Sequence, residues 1–298
     1  MAWLEPNKPF GKGRAPSKFR RLALGSWSAP DNPTIYGVLE LNVENALKHV
    51  ELLRSKTSEK ITITHFLGKM LAEVLKLHPE LNCEIRFGKF YPRETIDLSF
   101  QVAIEDETAD LGLKHRHDLS GAIVRNADKK SIIEIAAELN AAARKIRGEQ
   151  DPLFSGIKKI SAVIPGFLQN FAVGIIKWII SGLNLWSPAL GIPKNAFGSL
   201  MVTNVGSLGL DFALPALFPP ASVPAIIAVG AIYKAPVYET DEAGVVTGTR
   251  LERHIRLCGA FDHRYIDGLH ASRIARDMRR LTEHPEKTGL DYSSIPPS

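Results

Sequence analysis

The chain has 298 residues, 45% of them hydrophobic and 23% charged, enough apolar material for one large core or two modest ones in an ordinary globular protein. The net charge of +5 is a small excess of 37 basic over 32 acidic residues, and its clusters, Lys18–Arg21 and Arg276–Arg280, are broken by apolar or acidic residues, so nucleic acid is not an expected partner. Cys83 and Cys258 are too few for a disulfide framework, no Cys/His spacing suggests a metal site, and the N-terminus lacks an apolar signal core, so a reducing cytoplasm is the expected compartment.

Residues 1–16, rich in Pro, Gly and Lys, read as an extended arm with no upstream domain. Thr34–Leu41 carries β-branched and aromatic residues and predicts a strand. From Asn42 the apolar residues Val43, Ala46, Leu47, Val50 and Leu53 recur at helical spacing. Thr62 or Thr64 caps a second helix with Phe66, Leu67, Met70, Leu71, Val74 and Leu75 on its buried stripe, and Pro79 ends it. Strands are expected around Cys83–Phe87 and Ile96–Ile104. His115, Arg116 and His117 have no acidic or cysteine partner at metal spacing and read as a solvated loop.

Ser131 and Glu134 stand at capping-box spacing, opening a helix to about Arg147. Leu200–Asn204 and Ala225–Tyr233 are short apolar runs bounded by Gly and Pro, hence buried strands. His254–Phe261 alternates as a strand does, and a last helix runs from about Leu269 to Glu283. The mixture of strands and helices, without a glycine-rich nucleotide loop, predicts an α/β two-layer domain with a mixed sheet.

The segment Phe261-Asp-His263-Arg-Tyr-Ile-Asp267-Gly268 lies where a strand hands over to a helix. Histidine is the side chain suited to act as base and acid near neutrality. Asp267 is placed either to hold the base or to cap the helix that follows, and a surface histidine beside an Asp N-cap is the plainer reading of the same residues.

FDHRYIDG resembles the signature of the acyltransferase (E2) components of 2-oxo acid dehydrogenases and, more distantly, of chloramphenicol acetyltransferase. The resemblance extends to Leu200–Gly209 (LMVTNVGSLG), Phe218–Gly230, Leu77–Asn82 and Arg125–Ser131, in the family's order. It implies a chloramphenicol-acetyltransferase-like two-layer sandwich over residues 17–286 and a homotrimer, or a multiple of three, with active sites between subunits. By the same resemblance His263 is the general base, deprotonating the thiol of coenzyme A or dihydrolipoamide. Asp267 shapes the loop, with Arg20 or Arg21 as partner, and Thr203 stands where the family has a serine that donates to the tetrahedral oxyanion. A thiol near pKa 8.5 and an imidazole near 6.5 differ by about two units, so this proton transfer costs on the order of 2.7 kcal/mol. Asp128-Lys-Lys130 matches the family without a lipoyl group, so no covalent lipoyl group is expected.

Two departures stand out. No lipoyl or subunit-binding domain is expected ahead of residue 17, so the acyl donor or acceptor is expected to be free coenzyme A, a separate lipoyl carrier protein, or another small molecule. A segment at 155–195, whose residues 160–193 carry only Lys177 as charge, interrupts the family pattern ahead of a tail at 287–298. Its apolar face, from Phe167 to Leu183, is too wide for water; burial against the protein or a neighbouring subunit, a membrane interface, and insertion into a bilayer all remain open. In the first case it forms an apolar passage for a long acyl chain at the active-site mouth. Two other functions fit the same residues: a catalytically silent scaffold, and transfer to a lipid or apolar alcohol.

Overall fold

Strand and helix alternate along most of the chain. The computed structural model describes residues 32–104, 118–147, 164–186, 194–218 and 221–288, and all elements lie in one unit, residues 34–298. Strand β1 (Thr34–Asn42) is followed by α1 (Glu44–Arg54) and α2 (Ile63–Leu77). A hairpin of β2 (Cys83–Arg86) and β3 (Lys89–Pro92) precedes β4 (Leu98–Ile104), and β5 (Asp118–Val124) leads to α3 (Ile132–Arg147). After α4 (Gly166–Lys177) come β6 (Leu200–Asn204), β7 (Ala225–Val229), β8 (Tyr233–Thr240), β9 (Val246–Asp262) and α5 (Gly268–Glu283).

The main sheet runs β1-β9-β7-β6-β4-β5, with β8 also paired to β9. β4, β6 and β7 are mutually parallel and the other pairings antiparallel, so the sheet is mixed, as expected. Side chains alternate across it. Leu200, Val202, Ala225, Ile227 and Val229 join the main core with the apolar stripes of α1, α2, α3 and α5. Met201 and Ile226 face the other way, into a small second cluster with Ala221 and Val223. The same alternation puts Thr203 on the Met201 face.

α2 is the central helix, buried without a break from His65 to Leu75. A Cβ on Gly68 would lie 2.7 Å from the Phe100 ring, so glycine lets the helix sit close to β4. Lys69 and Glu73, both buried, pair at 2.7 Å, and Lys69 Nζ also donates to the Asp128 carbonyl. Of the two candidate caps, Thr62 starts α2, and the usual Glu or Gln of a capping box is replaced by His65. The Ser131–Glu134 box forms as expected: Ser131 N–H donates to Glu134 Oε2 at 2.8 Å and Glu134 N–H to Ser131 Oγ at 3.2 Å. Both cysteines are buried and free, and burial raises both thiols, as fits packing residues.

Two strand expectations need correction, and two strands were not expected at all. β3 and β5 have no counterpart in the pattern reading. Ala225–Tyr233 is two strands, broken at Gly230, where a Cβ would collide with the Asp211 carbonyl and one on Gly206 with that of Gly230. Three backbones meet there with no room for side chains. β9 begins at Val246, not His254, because its first half pairs only with β8 and is mostly exposed, leaving no one-sided pattern to read.

Candidate active site

β9 ends at Asp262, and the chain turns sharply into α5. The turn is tied to buried Asp262: its backbone carbonyl accepts from the Tyr265 amide at 2.9 Å, and its carboxylate accepts from the Arg264 amide and guanidinium. Tyr265 folds inward, and its hydroxyl accepts from the Ile85 amide at 2.8 Å. Burial pushes the Tyr265 phenol up to about 12, so it stays protonated.

His263 is left exposed at the tip of this turn. Its Nδ1 lies 2.7 Å from the Ile266 carbonyl. A carbonyl can only accept, so Nδ1 carries the proton in the neutral ring and Nε2 presents its lone pair outward. That is the arrangement a proton acceptor needs: one nitrogen anchored, the other open.

Asp267 does not touch His263 in this geometry. It is the N-cap of α5: its Oδ1 accepts from the Leu269 and His270 amides at 2.9 and 3.0 Å and sits 2.8 Å from His270 Nδ1. These bonds, the His270 amide first, hold the exposed carboxyl below its ordinary value. The turn is shaped through a helix start; Arg20 and Arg21, the expected arginine partners, lie outside the described residues, as do His115, Arg116 and His117.

Thr203 stands near the end of β6, beside Gln101 of β4 and Ala228 of β7. It borders two cavities. One, of about 510 Å³, lies on the Met201 face beneath the loop from Ala213 to Phe218 and is almost wholly apolar. The other, of about 990 Å³, has a mixed polar and apolar lining and opens between the starts of α2 and of the loop after β6, with Lys60 and Arg144 on its wall. Asn204 Nδ2 donates to Thr64 Oγ1 at 2.8 Å and Asn204 Oδ1 accepts from the Ser207 amide, fixing the strand end between them. A histidine that the sequence reading took only for part of α2 also lines this second cavity: His65 Nδ1 accepts from the Thr62 amide at 3.0 Å, which leaves Nε2 as a donor. Burial, then Arg54, lowers it to about 4.

His263 lines neither cavity. Thr203 pairs with Ala228 and Ala228 with Cys258, so His263 comes two strands over and five residues further along. At about 4.8 Å per strand and 3.3 Å per residue, the two are roughly 19 Å apart. Within one chain they cannot serve one reacting atom. The described residues of the apolar segment, 164–186, also line neither cavity.

The sequence profile of the 2-oxoacid dehydrogenases acyltransferase (catalytic domain) family matches residues 26–151 and 194–290. The chain belongs to this acyltransferase family. Its match leaves 152–193 aside. Among curated relatives, the chain is 25% identical over 226 residues to the dihydrolipoyllysine-residue acetyltransferase component of the acetoin cleaving system of Bacillus subtilis, covering 76% of this chain and 42% of that protein. It is 24% identical to the lipoamide acyltransferase component of the branched-chain alpha-keto acid dehydrogenase complex of the same organism, covering 88% and 50%. This acyltransferase-family chain thus spans about half, or less, of the length of those relatives. The fold is that of solved family cores. A probable dihydrolipoamide acetyltransferase from Listeria monocytogenes superposes with a TM-score of 0.60 at 20% identity, covering 97% of this chain and 99% of that one. An Azotobacter vinelandii dihydrolipoamide acetyltransferase superposes with 0.61 at 17% identity, covering 96% and 100%.

Proposed function

We propose that the chain is an acyltransferase that moves an acyl group between a thioester donor, coenzyme A or a lipoyl thioester, and a thiol acceptor, with His263 as general base. The observation that carries this reading is the anchored Nδ1 of His263, which leaves Nε2 outward as the proton acceptor. Nε2 takes the thiol proton, the thiolate sulfur attacks the thioester carbonyl, and the Thr203 hydroxyl of a neighbouring chain donates to the oxyanion. Collapse expels the donor thiolate, which recovers the proton from His263. Asp267 holds the turn by capping α5. Support comes also from the Azotobacter vinelandii enzyme, whose catalytic mechanism has been probed at a serine, a histidine and an asparagine four residues beyond that histidine, the spacing of His263 and Asp267.

In this reading residues 17–286 are the catalytic domain, 1–16 an arm, 155–195 an insertion and 287–298 a tail. Coenzyme A is a substrate, and the chain works as a trimer in the cytoplasm, its segment 160–193 meeting a membrane surface. The relatives named above act in multienzyme systems, and one neighbour in fold is the cubic core of a pyruvate dehydrogenase complex.

The test is transfer from a panel of acyl-coenzyme A thioesters to dihydrolipoamide by the purified protein. His263→Ala should lower the rate by roughly 10²–10⁴ with an unchanged melting temperature. A variant as fast as the parent removes His263 from the mechanism, and a parent inert with every thioester points to a scaffold instead.

A further inference from the structure

Two elements that the catalytic reading does not use expose large apolar side chains. On α4 and the wide turn after it, Leu168, Phe171, Ile175 and Trp178 follow one another at steps of three, four and three, which is one face of a helix. All four are exposed, Phe171 at 70% and Trp178 at 57%. Beyond the turn, Leu183, Leu185 and Trp186 are exposed as well. The second element is the tip of the β2–β3 hairpin, where Phe87 (69% exposed), Phe90 and Tyr91 are exposed beside Lys89.

The two are joined. Arg86 of β2 donates from Nε and Nη2 to the Gly182 carbonyl, at 3.2 and 2.9 Å, and its guanidinium lies 5.0 Å from the centre of the Tyr91 ring. The hairpin in turn grips the His263 turn, through the Ile85–Tyr265 hydrogen bond and an edge-on contact of the Phe90 and Tyr265 rings at 5.7 Å.

Charge decides what covers this face. Between Asp151 and Asp211 the sequence has no Asp or Glu, and Lys89 of the hairpin and Lys177 of α4 are both exposed. A second copy seated on the face would bring lysine to lysine. An anionic bilayer supplies the missing negative charge, and aromatic rings settle at headgroup level with aliphatic side chains below them. Among the described residues no helix is long and apolar enough to cross a membrane, so the face lies on the surface.

We propose that α4, the turn after it and the tip of the β2–β3 hairpin form one docking face for an anionic membrane, which seats the His263 turn beside the headgroups. The docking does not depend on acyl transfer and is tested without it. The purified chain should float with vesicles of phosphatidylcholine containing phosphatidylglycerol, release at high salt, and not float with phosphatidylcholine alone. Phe171→Ser with Trp178→Ser should weaken binding at least about tenfold. Lys89→Glu with Lys177→Glu, on exposed side chains that leave the fold alone, should weaken it at least about 25-fold. Equal flotation with both kinds of vesicle, or parent-like flotation of the lysine variant, overturns the proposal. So does a serine variant that breaks the oligomer while still floating, which would mean that the face holds copies of the chain together.

Discussion

His263 and His65 hold their protons on opposite ring nitrogens. His263 donates from Nδ1 to a carbonyl, whereas His65 accepts at Nδ1 from an amide. Only the second is buried, and burial brings it down to about 4. The unfolded chain takes up that proton near 6.5 and the folded chain refuses it until about 4. The contribution of His65 is therefore whole above pH 6.5 and is lost as the pH falls through that window, by about 1.4 kcal/mol per unit. Urea unfolding of the parent at pH 7 and pH 5 should show this loss. His65→Gln, which keeps a capping-box side chain, should lose about 2 kcal/mol less between the two pH values. An unchanged difference would mean that His65 is not the titrating group. The contrast also shows what sequence can carry at this scale. His263 sits in a contiguous motif at a strand-to-helix junction, and its candidacy can be read there. The burial of His65 comes from the packing of α2 with distant residues, and a helical pattern around Thr62 says nothing of it.

Elements whose signals are local were legible, and those defined by distant partners were not. The stripe of α1, the Ser131–Glu134 box and the core face of α2 all lie within a few turns of chain. β5 is a strand because it pairs with β4, and β3 because Phe87 and Gly88 both take positive φ and close a tight hairpin. Neither shows a strong alternation of its own. The start of α5 joins both cases: the sequence allowed Asp267 as cap or as holder of the base, and in the structure it caps α5 directly after the His263 turn. Asp267→Ala should therefore lower the melting temperature by about 2–4 °C and reduce kcat through a looser His263 turn. Asp267→Asn, an equally good cap, should restore both. A kcat that falls with Asn as much as with Ala would show that the charge, and not the cap, is what the turn requires.

At the scale of the whole molecule, the strand register puts Thr203 and His263 roughly 19 Å apart. Pattern reading placed both residues correctly on their elements and had no means of measuring the gap, since that depends on strand order: β7 lies between β6 and β9. If both act on one thioester, they come from different chains, each outward His263 reaching the Thr203 of a neighbour in a ring. The shared site makes a prediction that a single-chain site does not. Thr203→Val deletes the hydroxyl while keeping the shape, and alone should lower kcat by about 10² or more; His263→Ala alone should be at least as slow. Chains of the two variants mixed before assembly should form rings in which some sites pair an intact histidine from one chain with an intact threonine from the next. With random mixing that is about a quarter of all sites, so the mixture should recover about a quarter of the parent rate. The mass of the mixed assembly should correspond to three chains or a multiple. A mixture no faster than its parts, in assemblies shown to contain both variants, would place Thr203 and His263 in separate processes and leave His263 to act without it.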